Sequence, residues 1–110
     1  MTIAYWDVVP IMAQTISAFP ASEDDLEEPL PYMFISEMVD FVCLRESESE
    51  MDQLAELLEK LLVEGDDETR YLAMDAIETL GEKPEGPMVA KRFGPKSLEV
   101  WATVYKLGSA

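Results

Sequence analysis

Residues 57–80 read LLEKLLVEGDDETRYLAMDAIETL, and this stretch decides the fold class. Before Gly65, apolar residues fall at Met51, Leu54, Leu57, Leu58, Leu61 and Leu62; after it, at Tyr71, Leu72, Ala73, Ala76, Ile77 and Leu80. Three- and four-residue spacing is the period of a helix that buries one face, and strand alternation is weak throughout the chain. Gly65 stands where a C′ glycine ends a helix. Asp66 or Asp67 stands where an N-cap opens the next, and Gly81 closes it. Two helices joined by so short a turn are antiparallel neighbours, so the stretch predicts a helical hairpin.

Working outward, the run ESESE at 46–50 interrupts the apolar pattern, and Ser47 with Glu50 matches a capping box, as do Ser49 and Asp52 more loosely. Upstream, Pro31 opens a helical stretch over Tyr32–Arg45, with Phe34, Met38, Phe41 and Val42 at helical spacing and Ile35 and Leu44 alongside. PASEDDLEEPLP, residues 20–31, reads as a loop. Nearer the N-terminus, Asp7 is placed to cap a helix from Val8 with Ile11, Met12, Ile16 and Phe19 on one face, and Pro10 is tolerated in its first turn. Downstream, EKPEGPM reads as a loop, Val89–Phe93 as a short helical turn closed by Gly94, and Pro95 as the N1 residue of a last helix. That helix carries Leu98, Val100, Trp101, Val104, Tyr105 and Leu107. The expectation is an all-α compact bundle of about five helices with one antiparallel hairpin, forming a single helical domain over residues 1–110.

The chain has 110 residues, 48% of them hydrophobic, enough for one modest core. It carries 23 acids against 8 bases and no histidine, for a formal net charge of −15. Residues 23–82 hold 20 of the acids and only Arg45, Lys60 and Arg70 as bases, while residues 83–110 hold 2 acids and 5 bases. An acidic middle with a mildly basic C-terminal end disfavours direct contact with nucleic acid, which needs clustered Lys and Arg. It is repelled by anionic membrane surfaces, and no run approaches the length of a membrane span. MTIAYWDVVP lacks the basic n-region of a secretory signal. The single cysteine excludes an intrachain disulfide. A cytoplasmic location is expected.

Catalytic chemistry is poorly provided for. Without histidine there is no Ser-His or Cys-His pair and little for a transition metal. None of the five glycines makes a phosphate-cradling loop. Asp24, Asp25, Asp66, Asp67 and Glu68 lack the spacing of a calcium loop and read better as acids at helix N-termini. No catalytic, metal or cofactor residue is assigned, and the chain is not expected to be an enzyme. Cys43, between apolar neighbours in VDFVCLR, reads as a small buried hydrophobe. Trp101 reads as core; Trp6 reads equally as core or interface. Met12, Met33, Met38, Met51, Met74 and Met88 are read as gap-filling core, with an adaptable binding groove as the alternative.

Two resemblances bear on function. In the hairpin, Asp66 or Asp67, then Arg70, Ala73, Ala76 and Leu80 resemble the second helix of a HEAT-type repeat, except that Thr69 stands where an apolar residue is usual. Only one unit is visible and a solenoid needs three or more, so the resemblance implies a HEAT-like hairpin within a bundle. The wider string, GDDE at the turn and FGPKSLEVW at 93–101, is similar to small acidic helical bacterial proteins, some of which are immunity proteins encoded beside polymorphic toxins. This covers residues 57–107 on structural motifs and locates no binding residue. It implies an immunity or antitoxin-like inhibitor that blocks a cognate toxin.

The acids themselves supply the candidate surface. Residues 46–68 hold ten acids and one base, Lys60. Like charges four apart, as at Asp52 and Glu56, weaken a helix, and nothing local offsets them. The partner-binding face is therefore expected at Glu48, Asp52, Glu56, Glu59, Glu64, Asp66, Asp67 and Glu68. Its partner is expected to be a protein, a basic toxin or nucleic-acid-binding protein, with the oligomeric state open. The same composition suits a phage-encoded nucleic-acid mimic that inhibits a defence complex, or a general helical interaction adaptor.

Overall fold

The computed structural model of the chain describes residues 2–21, 23, 27 and 30–105. Among these, a 3₁₀ turn at Tyr5–Asp7 leads into α1 (Val8–Thr15), followed by α2 (Pro31–Arg45), α3 (Glu48–Glu64), α4 (Asp67–Gly81), α5 (Gly86–Ala90) and α6 (Pro95–Tyr105). No strand forms among the described residues; the one β-type contact is an isolated parallel bridge between Ile3 and Gly65. The all-α bundle expected from the sequence is what forms, with α5 as the short extra helix. Half of the residues 20–31, Asp24 and Asp25 among them, and Leu107 lie outside the described residues; Glu23 and Glu27, within the stretch read as a loop, are helical.

Helix α3 is the hub. It packs against every other α-helix, and α4 lies antiparallel to it and also meets α2, α5 and α6. The hub position follows from its sequence: Met51, Leu54, Ala55, Leu57, Leu58 and Leu61 are all buried, a wider apolar arc than a surface helix needs. Leu72, Ala73, Ala76, Ile77 and Leu80 of α4 face it, while α2 contributes Phe34, Ile35, Met38, Val39 and Val42. The buried residues form one continuous cluster. No described helix is long and apolar enough to cross a membrane.

Several end signals act as expected. The Ser47 hydroxyl accepts the Glu50 amide at 3.4 Å, half of the capping box. Glu50 does not complete it: its buried carboxylate takes Arg45 Nε at 2.7 Å instead, with the Arg45 guanidinium also over the Phe41 ring at 4.9 Å. Pro31 and Pro95 each open a helix. Of the two candidate caps for α4, Asp66 is used, its Oδ1 accepting the Thr69 amide at 2.9 Å.

Other expectations are corrected. Asp7 makes no side-chain cap for α1. Helix α5 begins at Gly86, inside the stretch read as a loop, and ends at Ala90. Leu44 and Tyr71 are exposed, because each lies on the side of its helix opposite the buried arc, and Leu98 is exposed at the margin of α6. Met12, Met38 and Met51 are core, but Met33, Met74 and Met88 are exposed. Trp101 is half-buried, edge-on to Phe93 with centroids 5.9 Å apart. Leu62 is only half-buried.

Gly65 is a glycine for a different reason from the one its position suggests. Its φ of −76° and ψ of 155° are ordinary extended backbone, open to any residue. What excludes a side chain is proximity: a Cβ would sit 2.6 Å from Thr69 Cγ2 and against the Leu61 carbonyl. Here the N-terminal strand-like segment crosses the hairpin turn. The Ile3 amide donates to the Glu64 carbonyl at 2.7 Å, and the Asp66 amide donates to the Ile3 carbonyl at 2.8 Å. The buried Thr69, the residue that departs from the apolar repeat pattern, sends its hydroxyl to that same Ile3 carbonyl at 3.4 Å. Gly65→Ala is expected to destabilise the protein by about 1–3 kcal/mol, the usual range for overpacking. A urea midpoint equal to wild type would show that the turn yields without cost.

Candidate protein-binding surface

The eight acids expected to form one binding face fall into three groups with different work. Glu48 and Asp52, exposed on the first turns of α3, face Arg92 from the loop after α5. Arg92 Nε is 2.7 Å from Asp52 Oδ1, and its terminal nitrogen is 3.8 Å from Glu48. The same guanidinium donates to the Met88 carbonyl at 2.6 Å, which fixes it over the helix. The basic C-terminal segment is thus folded onto the acidic middle, as opposite charge in one small chain favours. Lys83 does likewise, pairing with Asp40 of α2.

Glu59 and Asp66 are used inside the fold. Glu59 of α3 reaches the N-terminus of α6, where Oε1 accepts the Ser97 amide at 2.9 Å and the Ser97 hydroxyl at 3.0 Å, and Oε2 accepts the Lys96 amide at 3.2 Å. It is the N-cap of α6 supplied from another helix, satisfying amides that helix cannot satisfy itself. Gly94 makes room, since a Cβ there would lie 2.6 Å from Glu59 Cδ. Burial pushes the Glu59 carboxyl up, but the Ser97 and Lys96 amides, the Ser97 hydroxyl and the Lys96 charge outweigh it, leaving the group below its ordinary 4.5. Asp66 caps α4 with one oxygen and takes the Tyr5 amide at 3.1 Å with the other. The hydroxyl and amide of Thr69, with lesser help from the Tyr5 amide and Arg70, hold its carboxyl below the ordinary 3.8 against the opposing effect of burial.

Asp67 pairs with Arg70 one turn along α4. Glu56, Glu64 and Glu68 remain: all three are exposed and have no ion pair or side-chain hydrogen bond among the described residues. Glu56 and Glu64 border a groove with Lys60, Val63 and Arg92. Of the eight acids, those left without a partner lie in the second half of α3 and the turn into α4; Glu46, ahead of α3, is likewise exposed with no ion pair among the described residues.

The structure brings no group of three or more acids together as a cation site among the described residues. Cys43 is buried, and burial, with Glu85 adding to it, pushes the thiol up to about 11, so it stays protonated at neutral pH and packs as an apolar residue. Arg92 and Ser97 are the residues the sequence did not point to; both act across distances in sequence that no local pattern encodes. Comparison with protein-family models, with curated proteins and with solved structures finds no match.

The Glu59 cap has a pH signature. A carboxyl held below its ordinary value contributes stability that is complete above the unfolded value of 4.5 and is lost as pH falls through the lower folded value. Glu59→Gln is expected to cost about 1 kcal/mol at pH 7, the scale of a helix cap, with the gap to wild type closing below pH 4.5. Thermal melts from pH 7 to about pH 3 test this; a gap of constant size across that range would exclude a charged cap.

Proposed function

We propose that this chain acts by binding and not by catalysis, as a cytoplasmic immunity-type inhibitor that neutralises a basic protein toxin. The observation that supports it is the residue of charge left after the fold has used what it needs. Caps and ion pairs occupy Glu48, Asp52, Glu59, Asp66 and Asp67, yet Glu56, Glu64 and Glu68 stay exposed and unpaired in a chain of net charge −15. Self-repulsion of that size destabilises a small domain, so a basic partner that relieves it gains affinity from the same field. A toxin that acts on nucleic acid has a positive substrate groove suited to such a face. A nucleic-acid mimic would call for a longer row of free acids than Arg92 leaves on α3.

The test is co-expression with the product of the neighbouring gene in a bacterial host. Growth arrest by that product should be relieved by this chain, and the two should co-purify. Association should slow by about tenfold or more between low and physiological salt, as for electrostatically steered pairs. Replacing Glu56, Glu64 and Glu68 together by Lys should slow association by a similar factor without lowering the melting temperature. If no neighbouring product is toxic and neutralised, the proposal fails.

A further inference from the structure

We infer that the aromatic surface made by Trp6, Leu30, Tyr32 and Met33, with Glu37, Glu68 and Asp75 at its rim, is the docking site for a basic amphipathic segment of a partner protein. Trp6 is 69% exposed, Leu30 60%, Met33 59% and Tyr32 43%. Single exposed apolar residues are ordinary, but a contiguous set is not. These are contiguous: with Tyr5 and Pro31 they line one concavity of about 230 Å³. Tyr5 meets Trp6 edge-on with centroids 5.1 Å apart and lies 6.2 Å from Tyr32. The concavity is below the size of a drug-like site and suits a large side chain.

The floor runs into an acidic edge. A second concavity shares Tyr32 and Met33 and continues to Ser36, Glu37 and Asp75. Glu68, on the first turn of α4 beside the Asp66 cap that takes the Tyr5 amide, is close enough to join burial and Tyr32 in raising the Tyr5 phenol above its ordinary value. Glu37, Glu68 and Asp75 make no ion pair among the described residues, and the bases carried by and beside α4 are taken, Arg70 by Asp67 and Lys83 by Asp40. An apolar, aromatic centre within a charged rim is the anatomy of a protein interface, with Trp and Tyr as its usual anchors.

Charge chooses the occupant. An apolar side chain flanked by Lys or Arg fills the centre and pairs with the rim, whereas an acidic segment is repelled. A second copy of this chain in a two-fold contact would set Glu37, Glu68 and Asp75 against like acids. The surface is also preorganised. Trp6 rides on the Tyr5–Asp7 turn, which the Ile3 pairing and the Tyr5 amide bond to Asp66 tie to the hairpin, so little order remains to be imposed on binding. The inference shares with the proposed function a basic partner, whose sign is argued here from the rim acids alone.

The test uses the full chain and a synthetic amphipathic helical peptide of Leu and Lys, followed by amide and indole NMR shifts. A Leu–Glu analogue of the same pattern and an oligolysine of equal charge serve as comparison probes. The Leu–Lys peptide is expected to shift the Trp6 indole and the amides around Tyr32, Glu37 and Asp75. Trp6→Ala, Tyr32→Ala and the Glu37→Lys/Asp75→Lys double variant should each weaken it at least about tenfold, the scale of a hot-spot loss. Ser49→Lys, at the far end of α3, should leave it within a factor of about three, as a rim charge remote from the contact does. The inference is overturned if the peptide shifts residues elsewhere, if oligolysine or the Leu–Glu analogue binds as tightly, or if Trp6→Ala and Tyr32→Ala, folded by circular dichroism, bind as wild type. Dimerisation of the free chain through this surface in sedimentation would equally overturn it. Peptide capture without toxin neutralisation would keep the surface and sink the proposed function; neutralisation indifferent to Trp6→Ala would do the reverse.

Discussion

The main-chain pairing of Ile3 with the 64–66 turn is the contact on which the rest of the molecule depends. A helix leaves its last carbonyls and first amides without partners, and a tight hairpin brings both sets to one place. Ile3 answers one of each, accepting from Asp66 and donating to Glu64, while Thr69 adds its hydroxyl to the same carbonyl. The turn itself is tight enough that residue 65 has no room for a side chain between the Leu61 carbonyl and Thr69. Asp66 then uses its second oxygen on the Tyr5 amide, so the cap of α4 also orients the turn that carries Trp6. One junction thereby closes the hairpin, anchors the N-terminal segment over the core and sets an aromatic ring beside the acidic turn.

The second constraint is charge. Twenty-three acids in 110 residues repel one another, and the fold answers in two ways. It places carboxylates where helix ends need acceptors, Ser97 and Lys96 receiving Glu59 and Thr69 receiving Asp66. It also folds the basic C-terminal part over the acidic middle, Arg92 onto Asp52 and Glu48, Lys83 onto Asp40. The acidic excess of the middle of the chain is therefore sorted by the structure into acids with internal work and acids without.

The same sorting explains what was legible in the sequence. Periodicity gave away α2, α3 and α4, and Ser47, Pro31 and Pro95 marked helix starts, because each of these signals is local in the chain. Glu59 read as one more surface acid, since its partners lie at 96 and 97, thirty-seven and thirty-eight residues away. Gly65 was legible as a glycine with a purpose, but the purpose is the closeness of Thr69 and the Leu61 carbonyl across the turn. Tyr71 was misread because an aromatic next to a buried leucine passes for part of the apolar stripe, although a 100° step per residue puts it on the far side of α4. Trp6 could not be decided at all: it is exposed because the turn that carries it is held from elsewhere.

Exposed acids and an exposed aromatic cluster contribute differently to the recognition proposed here, and their adjacency matters for that reason. Rim charges act at a distance, so they govern how fast a basic partner arrives and how strongly salt slows it, while adding little once contact is made. A buried aromatic anchor acts only in contact and sets how long the partner stays. Glu64 and Glu68 frame the turn to which the N-terminal segment is tied, so a partner drawn in by the hairpin arrives next to Trp6 and Tyr32. Acids alone would give a fast, weak and promiscuous encounter with any basic surface. The apolar floor demands in addition a large side chain set among Lys or Arg, and that demand is what allows so acidic a chain to discriminate one basic partner from the many a cell contains.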